Sequence, residues 1–418
     1  MADSSRTRRS GWPLGGFRVG KLFGVAVYLD WSLLIIFALI AVNLGAGVFP
    51  VWHPEWGLLL DWVVAVGAAA LFLVSVLLHE LSHALVARRQ GISVPRITLF
   101  VFGGMAHMEG EPPSPKAEFL VAAVGPLVSI AIGVLATVAA NVIAAFTLEG
   151  AFDEPQQVLR ALGPTASLLI WLGPINILLG VFNLVPGFPL DGGRVFRAIV
   201  WGITKDLMRA TRWAALSGQG FGWALMAAGV LMALGFQIPP FGRGPIQGLW
   251  LLLIGWFLSK AAAAGYQQLR LKHSLSGVSV RDIMRPNVLT ALVDMSVAEL
   301  VQEHVMRSEQ RIYPVLQDGR LIGLVRFRDI RDVSHADRAQ TSVQEIMVPL
   351  DDIELLHPDD AAMTAVQGLS RSEIDALPVV ADGIFQGLVR QREIVKWMAL
   401  HSDRGGARKR DQQGRRAA

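Results

Sequence analysis

Two histidines and one glutamate lie within the five-residue segment HELSH, at His79, Glu80 and His83. Side chains four residues apart lie on one face of a helix, about one turn apart, so both imidazoles can reach a single metal ion. In an HExxH segment the histidines bind zinc, and the glutamate acts as general base on the attacking water. The chain has no cysteine, which excludes disulfides and thiol catalysis and leaves histidine, aspartate and glutamate as its strong metal ligands.

A third metal ligand is predicted at Asp191, because a catalytic zinc ion takes three protein ligands and keeps a fourth position open. Asp191 lies in the segment FNLVPGFPLDGGR, residues 182–194, where Pro186 and Pro189 prevent a regular helix. A non-helical segment can fold back to the depth of HELSH. The alternative is that Asp191 caps a helix starting near Arg194. Capping and ligation would involve the same oxygens, and we favour ligation.

The composition places these residues in a membrane. Of the 418 residues 52% are hydrophobic and 17% charged, whereas soluble proteins carry about a quarter charged residues. HELSH falls in an apolar stretch, where each ionisable residue costs roughly 2.5–3.5 kcal/mol and is usually functional, so a chance occurrence is disfavoured. Stretches near or above the ~20 residues that a spanning helix needs occur at 27–49, 58–87, 118–146, 165–185, 215–235 and 247–265.

Basic residues are distributed unequally between the two sides of these predicted spans, and an excess of lysine and arginine marks the cytoplasmic side. One side holds Arg6, Arg8, Arg9, Arg18, Lys21, Arg88, Arg89, Arg96, Arg194, Arg197, Lys205, Arg209 and Arg212, and the other holds Arg160 and Arg243. We therefore predict a multi-pass protein of the cell membrane with both termini in the cytoplasm. The net charge of +4 is modest and does not indicate nucleic-acid binding.

The first apolar run begins near Val25 and reaches about Phe49, which is too long for a signal peptide and predicts a retained membrane helix. A different structure is predicted for ITLFVFGGMAHM, residues 97–108, because this stretch is too short to cross and is interrupted by two glycines. We expect a membrane-associated β-hairpin, covered by protein or lining a water cavity. His107 within it is interpreted as an interfacial polar residue, with a role as ligand or gate less favoured. Glu118 is interpreted as a charge suited to a helix N-terminus.

An internal repeat begins beyond residue 275, where the composition becomes that of a soluble domain. RDIMRP at 281–286 matches QEIMVP at 344–349, and RIYPVLQDGRLIGLVRFRDI at 311–330 matches DALPVVADGIFQGLVRQREI at 375–394. A constant period over several positions indicates two copies of one module. Each copy reads as strand, helix, strand, strand, helix, so an α/β pair is expected. The basic end, residues 403–418, is expected to be disordered.

HELSH followed in a later span by FNLVPGFPLDGGR resembles the site-2 protease family of intramembrane zinc metalloproteases, over about residues 20–265. The resemblance implies one zinc ion per subunit, held by His79, His83 and Asp191, with Glu80 as the catalytic base. It also implies that Asn183 and Pro189 help to bind the substrate strand, and that residues 102–108 form a hairpin near the active site. The substrates it implies are transmembrane segments of other proteins, often regulators such as anti-sigma factors.

The two repeats resemble a tandem pair of cystathionine β-synthase (CBS) domains, at residues 278–335 and 342–399. Such pairs often bind adenosine nucleotides and form homodimers. The family's pattern after the last strand has Ser or Thr where this chain has Arg326 and Arg390, although Asp329 could still hold a ribose. We therefore weigh nucleotide binding equally against a regulatory or dimerisation role without a ligand.

The predicted organisation is a cytoplasmic segment at 1–24, a polytopic α-helical membrane protease domain at 25–268, the two cytoplasmic α/β CBS domains and the basic tail. Two other functions were weighed against a protease regulated by its CBS pair. One is a CBS-gated ion transporter, which HELSH with a distant aspartate disfavours. The other is an inactive relative that binds membrane proteins, which is disfavoured because the three ligands and the base are all present.

Overall fold

The computed structural model describes residues 16–101, 103–147, 155–239, 242–372 and 374–401. The chain divides into two units, Met1–Gln267 and Gln268–Ala418. Three features named above lie outside the described residues: the arginines at positions 6, 8 and 9, Phe102 of the predicted hairpin, and the basic tail at 403–418.

The first unit is built on long apolar helices. Among the described residues, six helices have the length and hydropathy needed to cross a membrane. These helices are α1 Leu33–Trp52, α2 Leu58–Arg89, α3 Pro115–Thr147, α5 Pro164–Asn183, α7 Leu207–Ala233 and α8 Pro245–Ser274. Two helices too short to span connect them, α4 Pro155–Ala161 and α6 Asp191–Thr204. The polytopic helical fold predicted from the sequence is confirmed.

A four-stranded sheet accompanies these helices. Its strands are β1 Gly16–Leu22, β2 Val25–Asp30, β3 Ser93–Phe100 and β4 Gly103–Glu109, in that order across the sheet. The neighbours β2 and β3 run parallel, whereas the other two pairs are antiparallel. The buried side chains of β2 and β3, among them Val25 and Ile97, pack against Leu81 and Ala84 of α2. The sheet is thereby fixed to the helix that carries HELSH.

The predicted hairpin is present as β3 and β4, but the sequence analysis missed the other half of the sheet. The prediction that the apolar run is helical from Val25 was wrong for its first six residues, which form β2. Val25 and Val27 are buried on one face, the alternation of a half-buried strand, and hydrogen bonding to β3 stabilises the extended backbone. The local apolar content alone could not show this partner, because β3 begins beyond two complete helices.

Small residues bring the helices of the membrane unit close together. A Cβ atom on Gly173 of α5 would lie 2.2 Å from Thr137 Oγ1 of α3, and one on Gly180 would lie 2.7 Å from the Pro126 carbonyl oxygen. Only glycine allows α3 and α5 to approach this closely, as is typical of helix pairs in membranes. This packing fixes α3 beside the other helices, and α3 in turn contacts the HELSH helix.

The second unit contains the two repeats in one mixed sheet, which confirms the predicted α/β class. The strands are β5 Ala291–Leu292, β6 Ile312–Gln317, β7 Arg320–Arg326, β8 Val348–Pro349, β9 Ala376–Ala381 and β10 Ile384–Arg390. Their order is β5-β6-β7-β10-β9, with β8 paired to β7. The helices are α9 Val280–Ile283, α10 Val297–Leu300, α11 Phe327–Asp332, α12 Val343–Ile346, α13 Ala362–Arg371 and α14 Gln391–His401.

The start of each repeat shows the same local structure. Ser279 and Asp282 form a capping box at α9, and Ser342 and Glu345 form the matching one at α12. In a capping box the serine and the acid three residues later satisfy backbone N–H groups that the first helical turn leaves open. The first copy then has the short strand β5, whereas the second has a single bridge between Leu356 and Val379. The repeat read from the sequence is therefore a structural repeat with one shortened strand.

Candidate active site

His79 and His83 lie one turn apart on the buried face of α2, as their spacing predicts. Their Nε2 atoms are 3.1 Å apart. Asp191 Oδ2 lies 3.1 Å from each of these nitrogens, although the residue is more than a hundred positions further along the chain. The two Nε2 atoms and Asp191 Oδ2 therefore form a triangle with sides of 3.1 Å, the arrangement of a group that could hold one metal ion. The structure thus brings together the three side chains that the sequence analysis selected as ligands.

Asp191 is the first residue of α6, and its position decides between the two interpretations of its carboxylate. The residue at the N-cap of α6 is Leu190, and the helix has no side-chain cap. The carboxylate of Asp191 instead faces the two imidazoles, so the capping alternative does not describe this helix. The helix also begins three residues before the predicted start at Arg194, because Gly192 and Gly193 fold into its first turn.

The Nδ1 atoms of both histidines, which face away from Asp191, contact α3. His79 Nδ1 lies 2.9 Å from Ser129 Oγ, and His83 Nδ1 lies 2.6 Å from the carbonyl oxygen of Val121. A carbonyl oxygen only accepts hydrogen bonds, so Nδ1 of His83 carries a proton, and in the neutral ring that metal binding requires, Nε2 presents its lone pair. This lone pair points toward a carboxylate oxygen and a second imidazole. Three electron-rich atoms this close repel one another unless a cation lies between them, so the donor set fits a metal ion.

The space in front of the imidazoles is kept open by a glycine of α3. A Cβ atom on Gly125 would lie 2.1 Å from His83 Nε2 and 2.8 Å from His79 Nε2. Any larger residue would therefore occupy the position at which the ligand atoms converge. The neighbouring helix is built to leave room for an ion at this point, which is a second observation in favour of a metal site.

Glu80 lies beside the cluster and under the sheet. It interacts electrostatically with His79, His83 and Asp191, and the backbone of Ala106 in β4 hydrogen-bonds to its carboxylate. Strand β4 passes close to it: a Cβ atom on Gly104 would lie 2.2 Å from Glu80 Cγ. The hairpin predicted near the active site thus covers the predicted base directly. His107 lies further along β4, opposite Arg96, and is not part of the ligand cluster.

The loop between α5 and α6 contains the two predicted substrate-binding residues. Asn183 ends α5, and its side-chain amide donates to the carbonyl oxygen of Leu179 in its own helix. Pro189 is exposed and follows a cis peptide bond. The loop is held against α7 by a hydrogen bond from the Phe188 N–H to the Ala214 carbonyl oxygen. Neither Asn183 nor Pro189 belongs to the ligand cluster, and their role in substrate binding stays a prediction.

An ion pair beside the site was missed by the sequence analysis. Glu118 of α3 is fully buried, and its Oε1 accepts hydrogen bonds from Nε and Nη2 of Arg197 in α6, with Nε at 2.6 Å. The same guanidinium lies 5.3 Å from the ring centre of Phe188. Glu118 is therefore a partner of the helix that carries Asp191. The available signal was a second pair of ionisable residues in apolar surroundings, where a buried charge requires a partner.

The C-terminal unit has a cavity of its own, of about 880 Å³, lined by residues of both repeats. Asp329, the predicted ribose-binding residue, does not line it. Its carboxylate accepts hydrogen bonds from the backbone N–H, Nε and Nη2 of Arg326, at 3.0, 2.8 and 2.8 Å. The carboxylate is thus almost fully engaged within the chain, and ribose binding by Asp329 stays an untested prediction.

The sequence matches two family models, one for peptidase family M50 at residues 67–227 and one for the CBS domain at 280–336 and 343–400. It is 37% identical over 385 residues to Rip3 of Mycobacterium tuberculosis, which is assigned by name to the zinc metalloproteases, and the match covers 92% of this chain and 93% of that protein. A Synechocystis protein that is also named a zinc metalloprotease is 31% identical to this chain, and the match covers 91% of this chain and 94% of the Synechocystis protein.

Among solved structures, the site-2 protease from Methanocaldococcus jannaschii is 24% identical to this chain. The superposition covers 60% of this chain and 94% of that structure, with a TM-score of 0.38.

Proposed function

This chain belongs to peptidase family M50, the site-2 proteases, and from that membership we propose that it hydrolyses peptide bonds in or next to the membrane-spanning segments of other proteins. The observation that supports this most directly is the cluster of His79, His83 and Asp191 with Glu80 beside it, in a unit made of apolar helices. A hydrolytic centre surrounded by such helices favours substrates that are themselves held in a bilayer.

We propose that His79, His83 and Asp191 hold one zinc ion per subunit. Two imidazole nitrogens and a carboxylate oxygen are a typical ligand set for a hydrolytic zinc, with one position left for water or substrate. The lone-pair orientation at His83 and the space beside Gly125 fit this assignment. When bound, zinc polarises the scissile carbonyl and makes water a stronger nucleophile near neutral pH.

In the proposed mechanism Glu80 acts as the general base and then as the general acid. It accepts a proton from the attacking water and delivers it to the amine that leaves. Its position beside the ligand cluster and close to β4 favours this role, because the strand limits the water that reaches the carboxylate. Ser129 and the Val121 carbonyl hold the two imidazoles in one orientation throughout.

The substrate must be extended when it is cut, because a helix hides its carbonyl groups in internal hydrogen bonds. Strand β4 ends the sheet, and one of its edges has no strand beside it in the described sheet. We propose that an unwound substrate segment pairs with β4 by strand addition, with Asn183 and Pro189 contacting it. Replacing Val101 with proline in the β3–β4 turn removes the hydrogen bond from the Val101 N–H to Ser32 Oγ, and is expected to slow cleavage. Unchanged rates in this variant would count against strand addition.

The remaining proposals concern the setting of the enzyme. Arginine and lysine positions favour a cell-membrane protein with both termini in the cytoplasm. The CBS pair then lies in the cytoplasm, where we propose that it regulates proteolysis, either through an adenosine nucleotide or by forming a homodimer. Regulators such as anti-sigma factors, which the resemblance implies, are the first substrates to test.

One experiment tests the central proposal. The full chain is purified in detergent, its zinc content is measured, and cleavage of a reconstituted single-span substrate is compared between the wild type and Glu80→Gln. We expect about one zinc per chain in both proteins, and a loss of cleavage of roughly 10²-fold or more in the variant. Glu303→Gln, an exposed position in the C-terminal unit, is the matched control. Zinc without Glu80-dependent cleavage would favour an inactive binding protein, and ion flux without zinc would favour a transporter.

A further inference from the structure

The first two strands of the membrane unit, β1 and β2, form an amphipathic hairpin. Paired residues of neighbouring strands share a face, and the face of β2 that carries Val25 is buried against α2. The register places the apolar side chains of β1 on the face of Val25 and its basic side chains on the opposite face. The apolar residues are Phe17 and Leu22, and the basic ones are Arg18 and Lys21.

A bulge in β1 produces this separation. The pairing shifts register between Arg18 and Gly20, so Val19 is an extra residue in the strand. Successive residues of a strand point to opposite faces, and without the extra residue Lys21 would be turned to the apolar face and Leu22 to the basic one. Bulges are a common device for re-aiming side chains. Here the bulge keeps both basic residues of β1 on one face.

The apolar face of β1 extends beyond the helix that covers β2. Val25 is fully buried, whereas Phe17, Leu22 and the turn residue Phe23 are 45%, 41% and 73% exposed. Phe23 also has a φ of 49°, in the left-handed region that bulky residues rarely adopt and that Asn or Gly favours in two-residue hairpin turns. A strained backbone that presents a large apolar side chain to the surroundings indicates a function for that side chain.

Both ends of the hairpin lie at the ends of helices long enough to span a membrane. At one end the ring centres of Phe17 and Trp31 are 5.5 Å apart, and Trp31 lies two residues before α1 begins. At the other end Nη1 of Arg88, in the last turn of α2, donates to the carbonyl oxygen of Phe23. Tryptophan and arginine at the ends of spans mark the level of the lipid headgroups. The hairpin therefore lies along that level.

A cavity of about 450 Å³ lies beside the turn of the hairpin. It is lined by Gly24, Arg88 and residues 91–95, so one lining side chain is cationic and none is acidic. A guanidinium group has five N–H donors, and the hydrogen bond to Phe23 uses one of them. Glu109 of β4 is an exposed acid at this end of the sheet, but the cations of β1 and of the end of α2 outnumber it. The cavity thus suits an anionic group.

We propose that the β1–β2 hairpin binds an anionic phospholipid, with the headgroup phosphate against Arg88 and the side chain of Phe23 among the acyl chains. Guanidinium groups bind phosphate oxygens through charge-assisted hydrogen bonds. Arg18 and Lys21 complement the charge of an anionic leaflet, where each basic residue strengthens binding by about fivefold. The exposed apolar side chains favour a lipid over a soluble phosphate, because burial in an apolar phase stabilises them. This lipid site does not depend on the proposed proteolytic activity.

A fluorescent label at the turn tests where the hairpin lies. The chain has no cysteine, so Phe23→Cys gives a unique site for an environment-sensitive fluorophore on the full chain, reconstituted in bilayers of phosphatidylcholine and phosphatidylglycerol. We expect the label to be protected from iodide, and spin-labelled phosphatidylglycerol to associate with it about fivefold more strongly than spin-labelled phosphatidylcholine. A label at Glu303→Cys, exposed in the C-terminal unit, is the control that iodide should reach.

Three results at position 23 would overturn the proposal. Quenching by iodide would mean that the turn lies in water. Protection from iodide without quenching by either lipid would mean that a protein surface, such as a second copy of the chain, covers the turn. Equal association of the two lipids would mean that the hairpin meets the bilayer without selecting an anionic headgroup.

The contribution of the basic face is measured separately. Added phosphatidylglycerol should raise the thermal unfolding temperature of the detergent-solubilised chain, because a ligand of the folded state stabilises it. The rise should shrink as salt is increased, and it should fall by at least half in Arg18→Gln/Lys21→Gln. Arg281→Gln/Arg320→Gln, on exposed arginines of the C-terminal unit, is the control with the same change of charge. A full rise in Arg18→Gln/Lys21→Gln would place the lipid elsewhere and contradict the proposal.

Phe23→Asn separates lipid binding from a structural role of the turn. Asn adopts the left-handed region readily, so without lipid this variant should unfold no earlier than the wild type. It should nevertheless lose most of the rise that phosphatidylglycerol produces, because Asn gains nothing from the acyl chains. A structural role predicts the reverse, a lower unfolding temperature without lipid and a full rise with it, and that result would refute the lipid site.

Discussion

Arg197, which follows Asp191 by less than two turns of α6, donates to the buried carboxylate of Glu118 in α3. This ion pair joins the helix that supplies the aspartate to the helix that orients both histidines. Arg197 also lies over Phe188, in the loop that delivers α6 to the site. The relative position of the three ligand side chains therefore depends on a contact that none of them makes.

Removing one partner of the ion pair between Arg197 and Glu118 should destabilise the folded protein. Arg197→Met leaves Glu118 buried without its partner, and we expect a loss of about 3–5 kcal/mol in the free energy of unfolding together with weaker zinc binding. The double variant Glu118→Met/Arg197→Met removes both charges and should recover most of the stability. Thermal unfolding and zinc retention of the detergent-solubilised chain are the measurements. Arg209→Met, on an exposed arginine of α7, is the control and should change neither. Equal unfolding temperatures for Arg197→Met and the control would refute the structural role.

Removing the hydroxyl of Ser129 should weaken the metal site without unfolding the protein. Ser129 Oγ contacts His79 Nδ1, and loss of a partner of this kind usually lowers metal affinity by about 10–100-fold. The measurement is the concentration of chelator that removes half of the zinc from Ser129→Ala. Ser75→Ala is the matched control, because among the described residues its hydroxyl donates to the Phe72 carbonyl oxygen within α2 and contacts neither histidine. If the two variants release zinc at the same chelator concentration, Ser129 does not orient the imidazole.

A single methyl group at Gly125 should prevent metal binding. Alanine has a higher helix propensity than glycine, so Gly125→Ala should by propensity alone stabilise the helical conformation of α3. Its Cβ would nevertheless lie 2.1 Å from His83 Nε2, and we expect a chain that folds but does not retain zinc. Gly220→Ala on α7 is the control, since a methyl group at this position would meet no atom within 4 Å. Normal zinc content in Gly125→Ala would mean that the imidazoles can move aside.

The stability of the C-terminal unit should fall in acid because of Glu393. Burial raises the pKa of this carboxyl, but its hydrogen bonds to Arg390 and Arg392 outweigh that effect and lower the pKa below the ordinary value. A lowered pKa in the folded state contributes stability above the unfolded value of about 4.5, and the contribution is lost as the pH falls through the folded value. Unfolding of the full chain, followed by a probe in the C-terminal unit, should show Glu393→Gln destabilised at about pH 7 and similar to wild type at the lowest pH. A pH-independent difference would exclude the ion pair as its cause.

The ligand cluster was predictable because two local signals coincided. The four-residue spacing of His79 and His83 places them on one face as soon as the segment is helical. The prolines before Asp191 predict that the chain leaves the helical conformation there. Each signal is contained in a few neighbouring residues. The pairing of a broken segment with a distant helix then follows from the order and direction of the spans.

The remaining features depend on partners that no short segment reveals. Val25–Asp30 is as apolar as the helix after it, and only its pairing with β3 makes it a strand. From the sequence, Glu118 can be interpreted only as a charge near the start of a helix, and its partner Arg197 is identified by the structure. The orienting contacts of Ser129 and Val121 depend on how α3 turns against α2, which side-chain packing determines.

The parallel pairing of β2 with β3 imposes a condition on the topology of this enzyme. Ala26 pairs with Arg96, and two helices long enough to span a membrane, α1 and α2, lie between them in the chain. An even number of crossings returns the chain to the side from which it left, so β2 and β3 can meet only if both helices cross or neither does. Strand β4, which covers Glu80, extends that sheet through β3. A chain in which one of the two helices failed to cross would hold β2 on the side opposite to β3, and the four-stranded sheet beside Glu80 could not close.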